Sequence, residues 1–360
     1  MFFARISPSQ VPYLGQRISQ RYLMSPTSQF SKEPLTLGTM LRSDSGRTYK
    51  IEEVLADRRK PLLCVYRASA DGKDYIAKNM IQGEFEYQLN LQRSLSTCPN
   101  VRGVIDTVQE HEVFIYPFLS GNLLRLSQKN LSEETRRHVL RSALRGLADM
   151  HDRDVLHNGK SGVPDDCPYH NYEESAEGGV IIKDVQISDL EDTVIVPPGK
   201  WLRGPLCGNA IWRSAESWCR SRQNQASDVF SFGIVTANAL FEMIYVMLNE
   251  MVFRVSDDQL KSADSWRYIL RRHISYFADE DGLNGFLEHI GEENPFYKRL
   301  IDLADSFGPG NPRQPFQRWG YVEPELRDLV GKMTNLDPTK RINAREALQH
   351  RWFRQTTYLG

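Results

Sequence analysis

The sequence predicts an α+β protein made of two lobes, a small β-rich N-lobe followed by a large helical C-lobe. Residues 49–118 contain short runs of β-branched and aromatic residues, separated by charged or glycine-containing turns. From Ser132 onward, the apolar residues follow helical spacing instead. The length of 360 residues is too great for one ordinary core and fits two lobes with tails.

The predicted N-lobe is a small sheet with a single helix. The runs YKIEEVL, PLLCVYRA and KDYIAKNM predict three strands, and HEVFIYPF predicts a later one. Phe85, Leu89 and Leu95 predict a helix between the third and the fourth run.

The predicted C-lobe begins with an amphipathic helix. Ser132, followed by Glu134 and Thr135, marks its start. The run VIIKDVQISDLED, at 180–192, predicts a short hairpin, and further helices follow to Phe353. The acidic, amphipathic segment 271–307 either docks a partner or covers the lobe, and we favour the second interpretation.

Composition excludes several classes of protein. Lys and Arg number 45 against 46 Asp and Glu, so bulk charge favours neither a nucleic acid nor a membrane partner. Five scattered cysteines without a CxxC pair indicate reduced thiols in an intracellular compartment and argue against a zinc site. The most apolar run, 234–253, contains Glu242, Asn249 and Glu250, which predicts a buried helix rather than a membrane span.

The two ends are predicted to be tails, over residues 1–45 and 354–360, around a domain at 46–353. Residues 1–32 contain basic but no acidic residues, which is typical of a mitochondrial transit peptide. A disordered, serine-rich tail explains the same composition. We therefore expect a cytoplasmic protein, with a mitochondrial location as the alternative.

Three motifs of the second half occur in a fixed order, namely SAESW at 214–218, SDVFSFGIV at 227–235 and NLDPTKRINAREALQHRWF at 335–353. With them the chain resembles the protein kinase family, whose large lobe carries APE, DxWSxG and LDPxxRxxxxxxLxHxWF motifs. The resemblance covers 49–353 and implies the bilobal kinase fold, with the N-lobe at 46–118 and the C-lobe at 119–353. It implies that Glu216 and Arg341 form a buried ion pair, and that Asp228 accepts backbone N–H bonds from the catalytic loop.

The resemblance also implies an ATP and Mg²⁺ site. DYIAKNM resembles the VAIK motif, so Lys78 is expected to contact the α- and β-phosphates and to pair with a helix carboxylate. We choose Glu86 as that carboxylate. Two alternatives stay open, Glu84 and, in one alignment, Gln88.

Two further segments complete the expected site. ISDLED resembles the DFG segment, with Asp189 as the magnesium ligand, although Glu191 replaces the family's glycine. FIYPFLSGNLL resembles the hinge, with Tyr116 beside the adenine pocket and backbone groups of Phe118 and Leu119 meeting adenine. Val65 is expected to contact the nucleotide as well.

The phosphate loop departs from the family pattern GxGxxGxV, in which glycines let backbone N–H groups approach the phosphates. Residues 55–65 contain no glycine. Arg58, Arg59 and Lys60 either supply charge through their side chains or form a basic, solvated turn. Both interpretations predict weaker nucleotide binding than in a typical kinase.

The catalytic loop departs further from the family pattern HRDxKxxN. It begins correctly at His157, but Asn158 replaces the arginine and Gly159 replaces the catalytic aspartate. Residues that could stand in after an unusual loop rearrangement lie downstream, at Asp165, Asp166 and Asn171. Because Gly159-Lys160-Ser161 can be encoded by GGTAAGT, a common donor splice-site consensus, we hypothesise that 159–171 is translated intron; a cDNA that reproduces it would exclude this.

The first functional prediction is a Ser/Thr protein kinase whose phosphoryl transfer is impaired. The alternative is a pseudokinase that acts as a scaffold or nucleotide-binding interaction module. A small-molecule kinase is disfavoured, because that class lacks the APE and DxWSxG pattern. Asn158 cannot pair with an activation-loop phosphate, and the hydroxyl side chains between Asp189 and Glu216 are Thr193 and Ser214. We therefore expect no dependence on activation-loop phosphorylation. The sequence does not identify the protein substrate, the partner or the oligomeric state.

Overall fold

The computed structural model describes residues 33–59, 62–119, 131–159, 170–174, 180–204, 206, 210–234, 247 and 253–354. Its strands are β1 Met40–Arg42, β2 Thr48–Ala56, β3 Val65–Ala70, β4 Lys73–Asn79, β5 Asp106–Val108, β6 Val113–Pro117, β7 Val155–Leu156, β8 His170–Glu174, β9 Val180–Val185 and β10 Val194–Ile195. Its α-helices are α1 Phe85–Ser94, α2 Glu133–His151, α3 Ala215–Trp218, α4 Gln225–Ile234, α5 Asp257–Lys261, α6 Ser265–Phe277, α7 Glu280–Ile290, α8 Tyr297–Asp305, α9 Pro324–Met333, α10 Ala344–Leu348 and α11 Arg351–Arg354.

The N-lobe is an antiparallel sheet in the order β1-β2-β3-β4-β6-β5, with α1 packed against it. Phe85 and Leu89 of α1 meet Ile76 and Phe114 of the sheet in one apolar cluster. The ring centroids of Phe85 and Phe114 lie 5.0 Å apart. The predicted sheet with a single helix is therefore confirmed.

Two strands of this sheet were not predicted. β5 is short, and β1 lies inside the segment 1–45 that we assigned to the tail. The sheet thus starts before the predicted lobe boundary at residue 46. β1 reads Met-Leu-Arg, and Leu41 is its single buried residue. Three residues without β-branching give no recognisable strand pattern.

The C-lobe is built from helices around one large apolar core, and α2 lies at its centre. Ser132 caps this helix, because its hydroxyl accepts a hydrogen bond from Thr135 N over 3.1 Å. The segment 271–307 packs Ile274, Phe286 and Leu300 into the core, so that it covers the lobe. Together the two lobes confirm the predicted α+β, bilobal architecture.

The predicted hairpin over 180–192 is wrong. β9 pairs with β8, which precedes it, in a register that places Ile182 opposite Tyr172. After β9 the chain turns to another partner, because Ile187 N donates to Asn100 O over 2.8 Å and Arg102 N donates to Ile187 O over 2.7 Å. The segment Leu190–Asp192 then forms a 3₁₀ turn instead of a returning strand.

The apolar run 234–253 lies mostly outside the described residues. α4 is described as far as Ile234, and Phe253 is fully buried. Within the described part of the chain, no helix is both long and apolar enough to cross a membrane.

Candidate functional site

Lys78 lies near the end of β4, where the N-lobe sheet faces the C-lobe. Its Nζ is 2.8 Å from Asp189 Oδ1 and 3.0 Å from Glu191 Oε1. The first contact is an aligned hydrogen bond, and the second is an ion-pair contact. The strand backbone fixes this position, since Lys78 is in register with Val65 of β3 and Phe114 of β6. The residue is 7% exposed, so water screens these charges little.

Backbone contacts on both sides hold the segment that carries Asp189. Asp189 has a φ of 59°, in the left-handed region that favours glycine. The carbonyl of the preceding Ser188 lies 2.9 Å from His157 Nε2. On its other side, Gln88 Nε2 donates to the main-chain oxygen of Glu191 over 2.9 Å. The backbone on either side of Asp189 is therefore held to both the catalytic loop and α1.

The structure does not bring Glu86 to Lys78, and the choice of Glu86 as its partner is corrected. Glu86 is exposed, and its Oε1 accepts from Gln109 Nε2 over 3.3 Å. Gln88, two residues later, faces the site and is buried. The reason is helix geometry, since two residues rotate a side chain by about 200° around the helix axis.

The expected adenine side of the cleft is lined by β6 and the residues after it. Tyr116 is buried, and its hydroxyl donates to Gln92 Oε1 over 2.9 Å. Burial raises the pKa of the Tyr116 hydroxyl, and the charge of Glu191 raises it further. Leu119 is buried, whereas Phe118 is partly exposed. Val65 packs beside the apolar cluster that includes Tyr116.

The turn between β2 and β3 contains the residues that stand where the glycine-rich loop is expected. Arg59 folds back onto Asp57, with Nη2 2.8 Å from Oδ2. Leu63 N donates to the carbonyl oxygen of Arg58 over 2.8 Å, which tightens the turn. Lys60 lies outside the described residues. The Arg59 charge is therefore shared with a neighbouring carboxylate rather than held open for an anion.

The start of the catalytic loop is held by Asp228 of α4. His157 N donates to Asp228 Oδ2 over 2.7 Å, and Asn158 N donates to Asp228 Oδ1 over 3.1 Å. His151 Nε2 lies 3.0 Å from the same Oδ2. These are the backbone bonds that the resemblance implied. Asn158, at φ 60°, donates its side-chain amide to Asp192 O over 3.3 Å.

The residue after Asn158 has no side chain for acid–base chemistry. Gly159 N donates to His157 Nδ1 over 3.2 Å. Asp165 and Asp166, the proposed substitutes, lie outside the described residues. The backbone of Asn171 belongs to β8, where it pairs with Asp184 of β9. The described part of the chain thus supplies no carboxylate at the position of the missing aspartate.

Glu216 and Arg341 form the predicted ion pair beneath the site. Arg341 Nη1 lies 2.7 Å from Glu216 Oε1, and the two side chains are 0% and 1% exposed. Burial alone would raise the pKa of Glu216, but the charge and hydrogen bonds of Arg341 outweigh it, so the pKa lies below its usual value. Ser227 Oγ also donates to Glu216 Oε1 over 2.8 Å.

The chemistry of the cleft residues fits a metal-bound phosphate ester in part. Lys78 Nζ contacts the carboxylates of Asp189 and Glu191, so an ammonium group and carboxylate oxygens meet at this point of the cleft. Carboxylate oxygens are the ligands that Mg²⁺ prefers, and an ammonium group suits phosphate. The glycine-free turn does not fit, because it offers no set of close backbone N–H groups.

Sequence reasoning did not assign Glu191 to the Lys78 site, and it left Gln88 as an open alternative to the chosen Glu86. A signal for Gln88 was present, since Phe85, Gln88, Leu89 and Gln92 share helical spacing and form the buried face of α1. Glu191 had only the signal that a charged residue replaces the glycine of the resembled motif.

The chain is similar to several serine/threonine protein kinases. No protein-family model matches the chain. It is 26% identical over 281 residues to MAP kinase-interacting serine/threonine-protein kinase mnk-1 of Caenorhabditis elegans, a match that covers 75% of this chain and 35% of that protein. It is 25% identical over 249 residues to human mitogen-activated protein kinase 13, covering 66% of this chain and 56% of the relative. Against the probable serine/threonine-protein kinase fhkB of Dictyostelium discoideum, identity is 21% over 243 residues, with 67% and 16% covered. The chain therefore spans less than two thirds of the length of each relative.

Proposed function

Since this chain belongs to a protein-kinase-like family, we propose that it binds ATP with Mg²⁺ between its two lobes and that its transfer of phosphate to protein Ser or Thr is impaired. The observation that carries the proposal is the contact between Lys78 and Asp189, which joins an N-lobe strand to the C-lobe segment over 2.8 Å. Lys78 would hold the α- and β-phosphates, and Asp189 would hold the metal. Bound Mg²⁺ supplies positive charge that offsets the charge of the phosphates.

The residues of this chain would position the nucleotide but not activate a substrate hydroxyl. The buried Tyr116 and Leu119 would close one side of the adenine pocket, and Val65, which packs beside the Tyr116 cluster, would cover it. Gly159 has no group to accept a proton. Loss of a general base typically lowers the rate by about 10²–10⁴-fold, whereas positioning and charge stabilisation survive.

A second candidate is a pseudokinase that keeps the fold and acts as a scaffold or nucleotide-binding module. Two observations favour it directly. Gly159 occupies the place of the catalytic aspartate, and the Arg59 charge in the glycine-free turn is held by Asp57. In this case Lys78 and Asp189 serve nucleotide binding without phosphoryl transfer.

Two measurements test the proposal. Thermal denaturation of the wild-type chain with and without Mg-ATP measures binding, because a ligand at 100 times its Kd stabilises the folded state by about 2.7 kcal/mol. We expect stabilisation by Mg-ATP that Lys78→Met removes and Asp189→Asn reduces. The matched control is Lys73→Met, on the same strand but exposed. No stabilisation of the wild type would exclude both a kinase and a nucleotide-binding module.

A radiolabelled transfer assay then separates the two candidates. Transfer to protein Ser or Thr that Lys78→Met abolishes supports the impaired kinase. Mg-ATP binding without any such transfer supports the pseudokinase.

A further inference from the structure

We infer that Glu191 is the positioning residue for Lys78, and that it replaces the helix carboxylate with which this lysine was expected to pair. The inference deepens the proposed nucleotide site, and its part that concerns ATP rests on the proposed function. The ion pair itself is a property of the ligand-free fold. It therefore has a test of its own.

The first step is the location of Asp189 and Glu191, two carboxylates that contact Lys78. Asp189 Oδ1 lies at 2.8 Å and Glu191 Oε1 at 3.0 Å from Nζ. Both belong to one short segment of the C-lobe, around the Leu190–Asp192 turn. The side chains of Lys78 and Glu191 are 8% and 19% exposed, so the attraction between them is only weakly screened.

The second step is that α1 offers an amide where a carboxylate was expected. Gln88 is 2% exposed and faces the same segment. Its Nε2 donates to Glu191 O over 2.9 Å, and its Oε1 has no hydrogen-bond partner among the described residues. Glu86 is exposed and bonded to Gln109. Thus α1 binds the backbone of Glu191, and the carboxylate of Glu191 binds Lys78.

The third step concerns the separate roles of Asp189 and Glu191 in binding the metal and in contacting Lys78. Asp189 is also the proposed metal ligand, so its oxygens serve two partners. The inference gives Glu191 the separate role of keeping its charge beside Lys78 when Asp189 is engaged with the metal.

A double-mutant cycle without ligand tests the ion pair. Unfolding by denaturant is measured for the wild type, Lys78→Met, Glu191→Gln and the double variant. We expect a coupling that corresponds to about tenfold in the unfolding equilibrium constant. The control is the same cycle with Asp74→Asn in place of Glu191→Gln. Asp74 is an exposed carboxylate on the same strand as Lys78 and pairs with Arg67, so this cycle should show no coupling with Lys78. A coupling that is absent for Glu191, or that appears with Glu86→Gln instead, would overturn the inference.

Calorimetric titration with Mg-ATP tests the positioning role. Glu191→Gln should weaken binding by about tenfold, and Gln88→Glu in the same chain should restore it by returning a carboxylate to α1. A purely structural role for Glu191 would not be rescued from another element. Binding by Glu191→Gln that equals the wild type refutes the inference. A wild type that shows the Lys78–Glu191 coupling but binds no Mg-ATP refutes the proposed function and leaves the ion pair intact.

Discussion

Replacing Arg341 by methionine should unfold the C-lobe more readily than any surface substitution of the same type. Arg341 Nη1 and Nη2 lie 2.7 and 3.2 Å from the two Glu216 oxygens. The same guanidinium donates to Ala226 O over 2.7 Å and to Asn335 O over 2.9 Å. Methionine fills much of the volume but supplies no donor. The change therefore leaves the Glu216 carboxylate without its charged partner and removes the guanidinium donor from three carbonyl groups, those of Ala226, Asn335 and Leu336.

The expected cost follows from these lost contacts. A buried charge whose partner is removed costs about 3–5 kcal/mol, and each orphaned carbonyl adds about 1 kcal/mol. The total lies in the lower part of the range of domain stability, which is about 5–15 kcal/mol. Arg341→Lys should recover only part of it, since lysine cannot reproduce the two-pronged contact with Glu216.

Denaturant unfolding monitored by tryptophan fluorescence measures the loss. The matched control is Arg345→Met, because Arg345 also pairs with carboxylates, Asp149 and Asp152, but is 42% exposed. We expect the control to cost at most about 1 kcal/mol. The double variant Glu216→Gln/Arg341→Met should cost less than the sum of the two single changes, because neither partner is left charged and alone. An Arg341→Met chain that is as stable as the Arg345→Met chain would refute the reasoning.

Three further outcomes are expected. Burial lowers the pKa of His273 to about 4, so the folded state favours the neutral ring. The free energy of unfolding should therefore be highest above a pH of about 6.5 and fall by up to about 3 kcal/mol as the pH drops to about 4. In pH-dependent denaturation, His273→Phe should flatten this slope. Thr193 is fully buried and its hydroxyl donates to Leu190 O over 2.6 Å, so treatment with an upstream kinase should not raise transfer activity; a large gain abolished by Thr193→Ala would contradict this. Gly159→Asp should raise transfer by about 10²-fold or more over Gly159→Asn, measured with radiolabelled ATP, and equal rates would show that the missing aspartate is not what limits transfer.

The framework of the C-lobe could be predicted from the sequence. The motifs that carry its buried charged residues occur in a fixed order, although they lie far apart along the chain. Glu216, Asp228 and Arg341 each have the partners that the motifs implied. Such buried charges tolerate little variation, since each must have a partner. Their residue types and spacing therefore carry most of the information about their contacts.

The site could be predicted less completely, because the sequence did not settle which face of α1 points toward Lys78. Glu86 and Gln88 are both polar and lie near the expected position, yet their side chains point to opposite sides of the helix. The hydrophobic spacing of Phe85 and Leu89 would have selected Gln88, but a preference for a carboxylate selected Glu86. The pairing of Lys78 with Glu191 depends on the path of the chain after β9, which the sequence pattern misrepresented as a hairpin.

Some residues of this chain match the kinase motifs and others depart from them, and the contacts of the two groups explain why the fold tolerates the departures. Asp228 binds backbone N–H groups of His157 and Asn158, so it holds the loop whatever side chains stand there. The fold therefore survives a glycine at position 159. The Lys78 cluster differs, because a buried ion pair is weak evidence for stability and apolar residues of similar volume often serve a core as well or better. Stability alone thus gives little reason for one ammonium group and two carboxylates to meet in the cleft. A charged ligand would give such a reason, and this is why we propose a nucleotide site there.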